Sequence, residues 1–423
     1  MPAELITLAL MLAVFAAAVF WWKLPAGLAL ALSSVTGALA AGEGFPLRHL
    51  VEGMFGYLDA VLIIVTAMLY MKALEASGAL GTICTMMVLA LHRWPTALMI
   101  VIVLFVMFPG MLTGLSSACI LTTGGLVAPA LLAMGFPPVA AGSLVALSAV
   151  FGMIAPPINI PVMIIGGGVD MPYVGFELPL LLTVTPPALC TALYFRFRYV
   201  RKIDVEQVLG RLPRPVYGQH GPKLFLPLAV VLGLMLAVRL APQWLPDPGV
   251  PLIFILGALT AIGTGEPVRP LQLARVAVRE ALPVMAILVG VGMFVQIITL
   301  TGVRGFIAVS ALKLTPALLY AGIAVAMPAF GSAYAASSVL GVPLVYVFLG
   351  RNELVVTSAL SLIAGIGDMM PPPSLLCVFA AQLVGEKNHY RILRESLPMI
   401  VLTVLTAIAL IMFAGQVGSF LRY

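Results

Sequence analysis

Hydroxyl side chains gathered at breaks in apolar runs are the residues here with chemistry to offer. The stretch FPGMLTGLSSACILTTGG (108–125) sets Thr113, Gly114, Ser116 and Ser117 inside a segment apolar enough for lipid. A hydroxyl both donates and accepts. Free N–H groups at the start of a short half-helix suit an anion such as a carboxylate, and nearby carbonyls suit Na⁺. The second half repeats the pattern in FGSAYAASSVLGVPL (330–344), with Ser332, Ser337 and Ser338. On residue type, Ser116-Ser117 pairs with Ser337-Ser338.

Each half carries a second break, made by proline. GMIAPPINIPVMIIGG (152–167) contains Pro156-Pro157, and GDMMPPPS (367–374) contains Pro371-Pro372-Pro373. Proline removes a donor and clashes with the preceding turn, so both helices must be interrupted. The carbonyls before each break, Gly152 to Ala155 and Gly367 to Met370, then lose their intrahelical partners and can ligate a cation. Asn159 and Ser374 hold equivalent places just after the two breaks. Asp368 sits at the edge of the second one. An ionisable group there fits binding of Na⁺ or a proton, and equally a place at the cytoplasmic mouth, where a charge is cheap.

Composition says what must position these groups. The chain is 62% hydrophobic and 9% charged, whereas soluble proteins carry about 25% charged residues. Lipid must be its main solvent. The net charge of +6 comes from basic residues in loops between apolar runs, which reflects membrane topology rather than a nucleic-acid surface. Cys84, Cys119, Cys190 and Cys377 are scattered through apolar runs without metal spacing and read as small buried side chains. There is no Walker A sequence, and no His/Asp/Glu or Ser/His set converges at one depth, so an enzyme is not expected.

Spans of about 20 apolar residues fall at 4–22, 25–42 and 58–76, followed by a connector at 79–92. The first span has no basic residue before it and reads as uncleaved, with its N-terminus outside. Lys72 and Glu75 stand three apart on one helical face and can pair. A re-entrant hairpin at 94–133, a broken helix at 138–168 and a span at 178–197 complete the first repeat, 1–197. A basic cytoplasmic linker, 198–222, leads to the second repeat, 223–423. Its spans fall at 223–241, 250–265, 281–300 and 396–416, with a connector at 303–313, a hairpin at 315–349 and a broken helix at 354–385. The expected fold class is an all-α polytopic membrane protein of two inverted repeats, each with five spans and one hairpin. An odd number of crossings inverts the second copy, whereas reading each hairpin as a full span makes six crossings per half and loses the inversion. Paired broken segments in two halves point to a secondary transporter's binding site. Ser116, Ser117, Asn159, Ser337, Ser338 and Ser374 are its candidate ion and substrate shell.

The sequence resembles the large membrane (permease) subunit of tripartite ATP-independent periplasmic (TRAP) transporters, in the ion-transporter superfamily. The similarity rests on Gly114, Ser116-Ser117-Ala118, Gly124, Pro129 and GFPP (135–138), then GMIAPPINIPVMIIGG, and finally IGDMMPP (366–372). The resemblance implies a static scaffold and an elevator-type transport domain in the bacterial inner membrane. It also implies Na⁺-coupled import of a small organic acid, a dicarboxylate or sugar acid. A small four-helix membrane subunit and a periplasmic substrate-binding protein would be partners. A stand-alone carboxylate symporter or exchanger of the same superfamily is the alternative. The chain departs from the family pattern in having no acidic residue at the second hairpin tip and in carrying Asp368.

Overall fold

A computed structural model describes residues 2–421, apart from 201–207, 214, 241–245, 247 and 372. Pro372 and much of the basic linker therefore lie outside the described residues. Every regular element described is helical, and among the described residues eight helices are long and apolar enough to cross a membrane. The protein is an all-α, multi-spanning membrane protein.

The first half opens with α1 (Ala3–Phe20), α2 (Ala26–Ala40), α3 (Leu47–Phe55), α4 (Leu58–Ala76) and α5 (Ala79–Leu91). Next comes α6 (Pro95–Thr113). The chain returns along it through α7 (Ser116–Cys119), a π-helical turn at Ile120–Gly124, and α8 (Gly125–Ala133). The broken helix is α9 (Pro138–Ile154) and α10 (Ile160–Gly167), and α11 (Glu177–Tyr199) closes the half. In the second half α12 (Leu226–Leu240), α13 (Val250–Thr264), α14 (Pro270–Leu300) and α15 (Val303–Leu312) lead to α16 (Pro316–Ala329). The return arm is α17 (Ala333–Ala336), a π-helical turn at Ser337–Gly341, and α18 (Val342–Val347). Then come α19 (Glu353–Ile366), α20 (Leu375–Val384), α21 (His389–Met412) and α22 (Ala414–Leu421).

Packing is symmetric between the halves. Helix α2 packs on α14 as α13 packs on α4, and α6 packs on α9 as α16 packs on α19. Contacts that cross the halves are symmetric too: α20 lies on the π-turn at 120–124, and α10 lies on the one at 337–341. A pseudo-two-fold arrangement, consistent with an elevator-type fold, follows. Helices α1–α4 and α12–α14 pack on one another, with small residues where α3 meets α14. Gly53 of α3 backs on to Gly292 of α14 so closely that a Cβ on Gly53 would stand 2.5 Å from the Gly292 carbonyl oxygen. Lys72 pairs with Glu75 at 3.0 Å, and Glu280 of α14 adds a second carboxylate, also at 3.0 Å.

Three features differ from the sequence reading. The segment between the spans at 25–42 and 58–76 contains helix α3, and its counterpart in the second half is fused into α14, a single helix of 31 residues. The two hairpins differ in reach: at 1.5 Å per residue, α6 extends about 29 Å and α16 only about 21 Å, against a hydrocarbon core of about 30 Å. Finally, Cys190 is exposed on α11, unlike the other three cysteines.

Candidate functional site

The backbone sets the register of the two hairpins. Helix α6 ends at Gly114 (φ 68°), and α16 is followed by Gly331 (φ 64°); both occupy the left-handed region that glycine adopts without strain. One extended residue follows each, Leu115 and Ser332, and then the return arm starts. Structurally, Ser116 therefore matches Ala333, and Ser337-Ser338 match Ile120-Leu121. The match made on serine identity is displaced by one turn.

The two tips meet at Asp368, which lies in a short 3₁₀ turn, Gly367–Met369, that ends α19. Ser116 Oγ donates to Asp368 Oδ2 at 2.8 Å, and the Ala333 N–H donates to Oδ1 at 2.8 Å. A third link joins tip to tip, from the Tyr334 hydroxyl to the Gly114 carbonyl at 3.1 Å. One carboxylate thus ties hairpin one, hairpin two and the second break.

These groups border a cavity of about 690 Å³. Leu115, Ser116, Ser117, Ser332, Tyr334 and Asp368 line one wall, and α1, α2 and α14 supply the other through Phe15, Phe20, Ala26, Val284 and Ile287. Asp368 is the one charged side chain among its described lining residues. A second cavity, of about 410 Å³, lies between α4, α10 and the start of α13. Helices α4 and α14 both end two residues before a left-handed glycine, Gly78 and Gly302. Aligned on those ends, Ala60 and Ile63 of the second cavity stand where Val284 and Ile287 stand in the first. The two cavities are related by the same pseudo-symmetry as the helices.

The first break is a closed polar knot. Asn159 caps α10, its Oδ1 accepting from the Val162 N–H at 2.9 Å. Its Nδ2 donates to the Ile154 carbonyl at 2.8 Å and to Ser361 Oγ of α19 at 3.1 Å. The Asn159 N–H donates to the Tyr173 hydroxyl at 3.0 Å, which donates in turn to the Pro157 carbonyl at 2.9 Å. Pro156-Pro157 is a cis peptide. Asn159→Ala leaves Ile154 and Val162 without their partners in a buried site, at a cost of about 1–3 kcal/mol. The expected result is a lower melting temperature in detergent; an unchanged one would mean the amide holds nothing together.

Of the residues singled out in the sequence, Ser116, Ser117, Ser332 and Asp368 come together on the large cavity. Thr113 bonds back to the Pro109 carbonyl at 2.7 Å, and Ser337 and Ser338 bond back to Ala333 and Ala335 at 2.7 and 3.0 Å. Those three support the hairpins from inside and do not line the cavity. At the second break the Met370 carbonyl accepts from the Ser374 N–H at 3.0 Å, and the Gly367 carbonyl from the Met370 N–H at 2.9 Å. Ser374 is buried, with left-handed backbone (φ 55°) and a hydroxyl that has no hydrogen-bond partner among the described residues. Tyr334 and Tyr173 escaped the sequence reading; the one signal was an aromatic set among small residues in GSAYAASS and in the loop DMPYVGFE.

No family model matches the chain, and no curated protein matches it in sequence. In three dimensions it is similar to the YdaH transporter of Alcanivorax borkumensis, a protein described as having an unusual topology. The match covers 88% of each chain at 16% identity, with a TM-score of 0.61. The likeness is one of fold.

Proposed function

We propose that this chain is a stand-alone secondary transporter of the bacterial inner membrane, working by alternating access. The hairpins, the broken helices and the helices packed on them move as one body against α1–α4 and α12–α14. The observation that carries this reading is the convergence of both hairpin tips and the second break on one carboxylate, beside a cavity shared with the scaffold side. Two symmetry-related cavities support exchange between two faces. A cation, Na⁺ by resemblance, would drive the cycle. The Ser374 hydroxyl, without a partner among the described residues and on the residue whose N–H reaches the Met370 carbonyl, suits such an ion better than the first break, where Asn159 is already fully engaged. The TRAP large-subunit reading, with a four-helix subunit and a binding protein, rests on the motifs at 108–168 and 366–372 and is the second choice. Its organic-acid cargo would meet the tip hydroxyls and N–H groups.

Thiol access tests the carrier reading without knowledge of the cargo. In protein whose four native cysteines are replaced, Ser332→Cys is treated with a membrane-impermeant maleimide in vesicles of either orientation. Labelling is expected from both sides, with one rate falling as the other rises when a Na⁺ gradient is imposed. Labelling from one side under every condition would overturn alternating access.

A further inference from the structure

Among its described lining residues the large cavity holds an acid and no base. Asp368 is its one charged side chain among the described lining residues, set in the interior of a membrane protein where an uncompensated carboxylate is costly. Ser116 and Ala333 each satisfy one site on its two oxygens; a carboxylate offers about four. Opposite and around it stand aromatic rings: Phe15 and Phe20 from α1, Phe330 and Tyr334 at the second tip, and Phe379 from α20. Aromatic faces attract cations and bury apolar bodies. The volume, about 690 Å³, falls in the range of small-molecule pockets, about 300–1,000 Å³.

We infer that the cavity takes a substrate with an ammonium group on an apolar, aromatic-sized body, and that Asp368 is its counter-charge. The inference rests on the transporter reading above and names its cargo class. An ammonium completes the carboxylate's empty acceptor sites and sits against the ring faces, while the body replaces water on the apolar wall. A dicarboxylate placed there meets a like charge and finds no described lining residue to neutralise it. An inorganic cation would answer the charge and leave the aromatic wall unused.

The probe is phenethylammonium, compared with 2-phenylethanol, succinate and NaCl by calorimetry or melting shift on the purified full chain in detergent. Asp368→Asn is the informative variant, because its amide can still accept from Ala333 and hydrogen-bond Ser116 while losing the charge. Saturable binding of the amine is expected, with the neutral alcohol bound at least about tenfold more weakly. In Asp368→Asn the amine should weaken about a hundredfold, the size of effect that follows loss of one partner of a buried charge pair. Should that variant fail to fold, the amine-to-alcohol ratio on wild type decides alone. Equal binding of amine and alcohol, binding of succinate in place of the amine, or a response to NaCl with none to the amine would each overturn the assignment. Two-sided labelling of Ser332→Cys without amine binding removes the cargo class and leaves the carrier. Amine binding with one-sided labelling does the reverse.

Discussion

Asp368→Ala is expected to release both hairpin tips at once. The carboxylate accepts from Ser116 in one half and from Ala333 in the other, each at 2.8 Å. Hydrogen bonds to a charged group contribute about 1.5–3 kcal/mol each. Loss of the tie at Ala333 should therefore speed local opening about a hundredfold. Amide hydrogen exchange at 331–336 and 114–119 is the direct measurement, and helix α13, which does not line the cavity of Asp368, serves as the reference. Transport should fall to background in the same protein, since the two tips no longer hold a common geometry. Asp368→Asn separates the roles: slow exchange at the tips should persist there, because an amide can keep both bonds, while the charge is gone. Equal exchange in wild type and Asp368→Ala would show that the tips are held by packing alone.

Gly292→Val should prevent helices α1–α4 and α12–α14 from packing together. A Cβ at Gly53 would already stand 2.5 Å from the Gly292 carbonyl oxygen, and one at Gly292 would run into the backbone of Gly53 and approach the Tyr57 ring at 3.2 Å. Overpacking a core side chain typically costs about 1–3 kcal/mol. Here backbone meets backbone, neither can turn aside, and the cost lies at or above the top of that range. Small residues let helices approach closely in lipid, where packing rather than water drives association. Loss of the monodisperse peak in detergent size-exclusion chromatography is the expected outcome. A folded, fully active Gly292→Val would mean that α3 and α14 can separate without consequence. Gly263, with open space around its Cβ position, is the matched control.

How much of this was legible in the sequence depends on what each element is made of. Long apolar runs with proline or glycine at their ends declared themselves: the run at 58–76 is helix Leu58–Ala76, and Lys72 pairs with Glu75 as its spacing allowed. Helix α3 did not, because nine amphipathic residues between glycines and a proline carry the composition of a loop. Its buried face is only Leu50 and Gly53, too small a signal for periodicity. The hairpin register misled because serines were matched to serines, whereas the left-handed glycines 114 and 331 fix the fold. The site was half visible. Asp368 stood out as an acid among apolar residues, but its partners lie across the two halves, and one of them is a backbone N–H. Tyr173 could not be tied to Asn159 from sequence, since their link depends on a chain reversal after α10.

The paired wide turns carry the pseudo-symmetry down to single residues. At Ile120–Gly124 and at Ser337–Gly341 the return arm closes its hydrogen bonds one residue further along than an α-helix does. Each arm has in effect taken in a surplus residue, at the same distance beyond its left-handed glycine. The wide turn thus belongs to the pseudo-two-fold frame of the fold and not to one half of it.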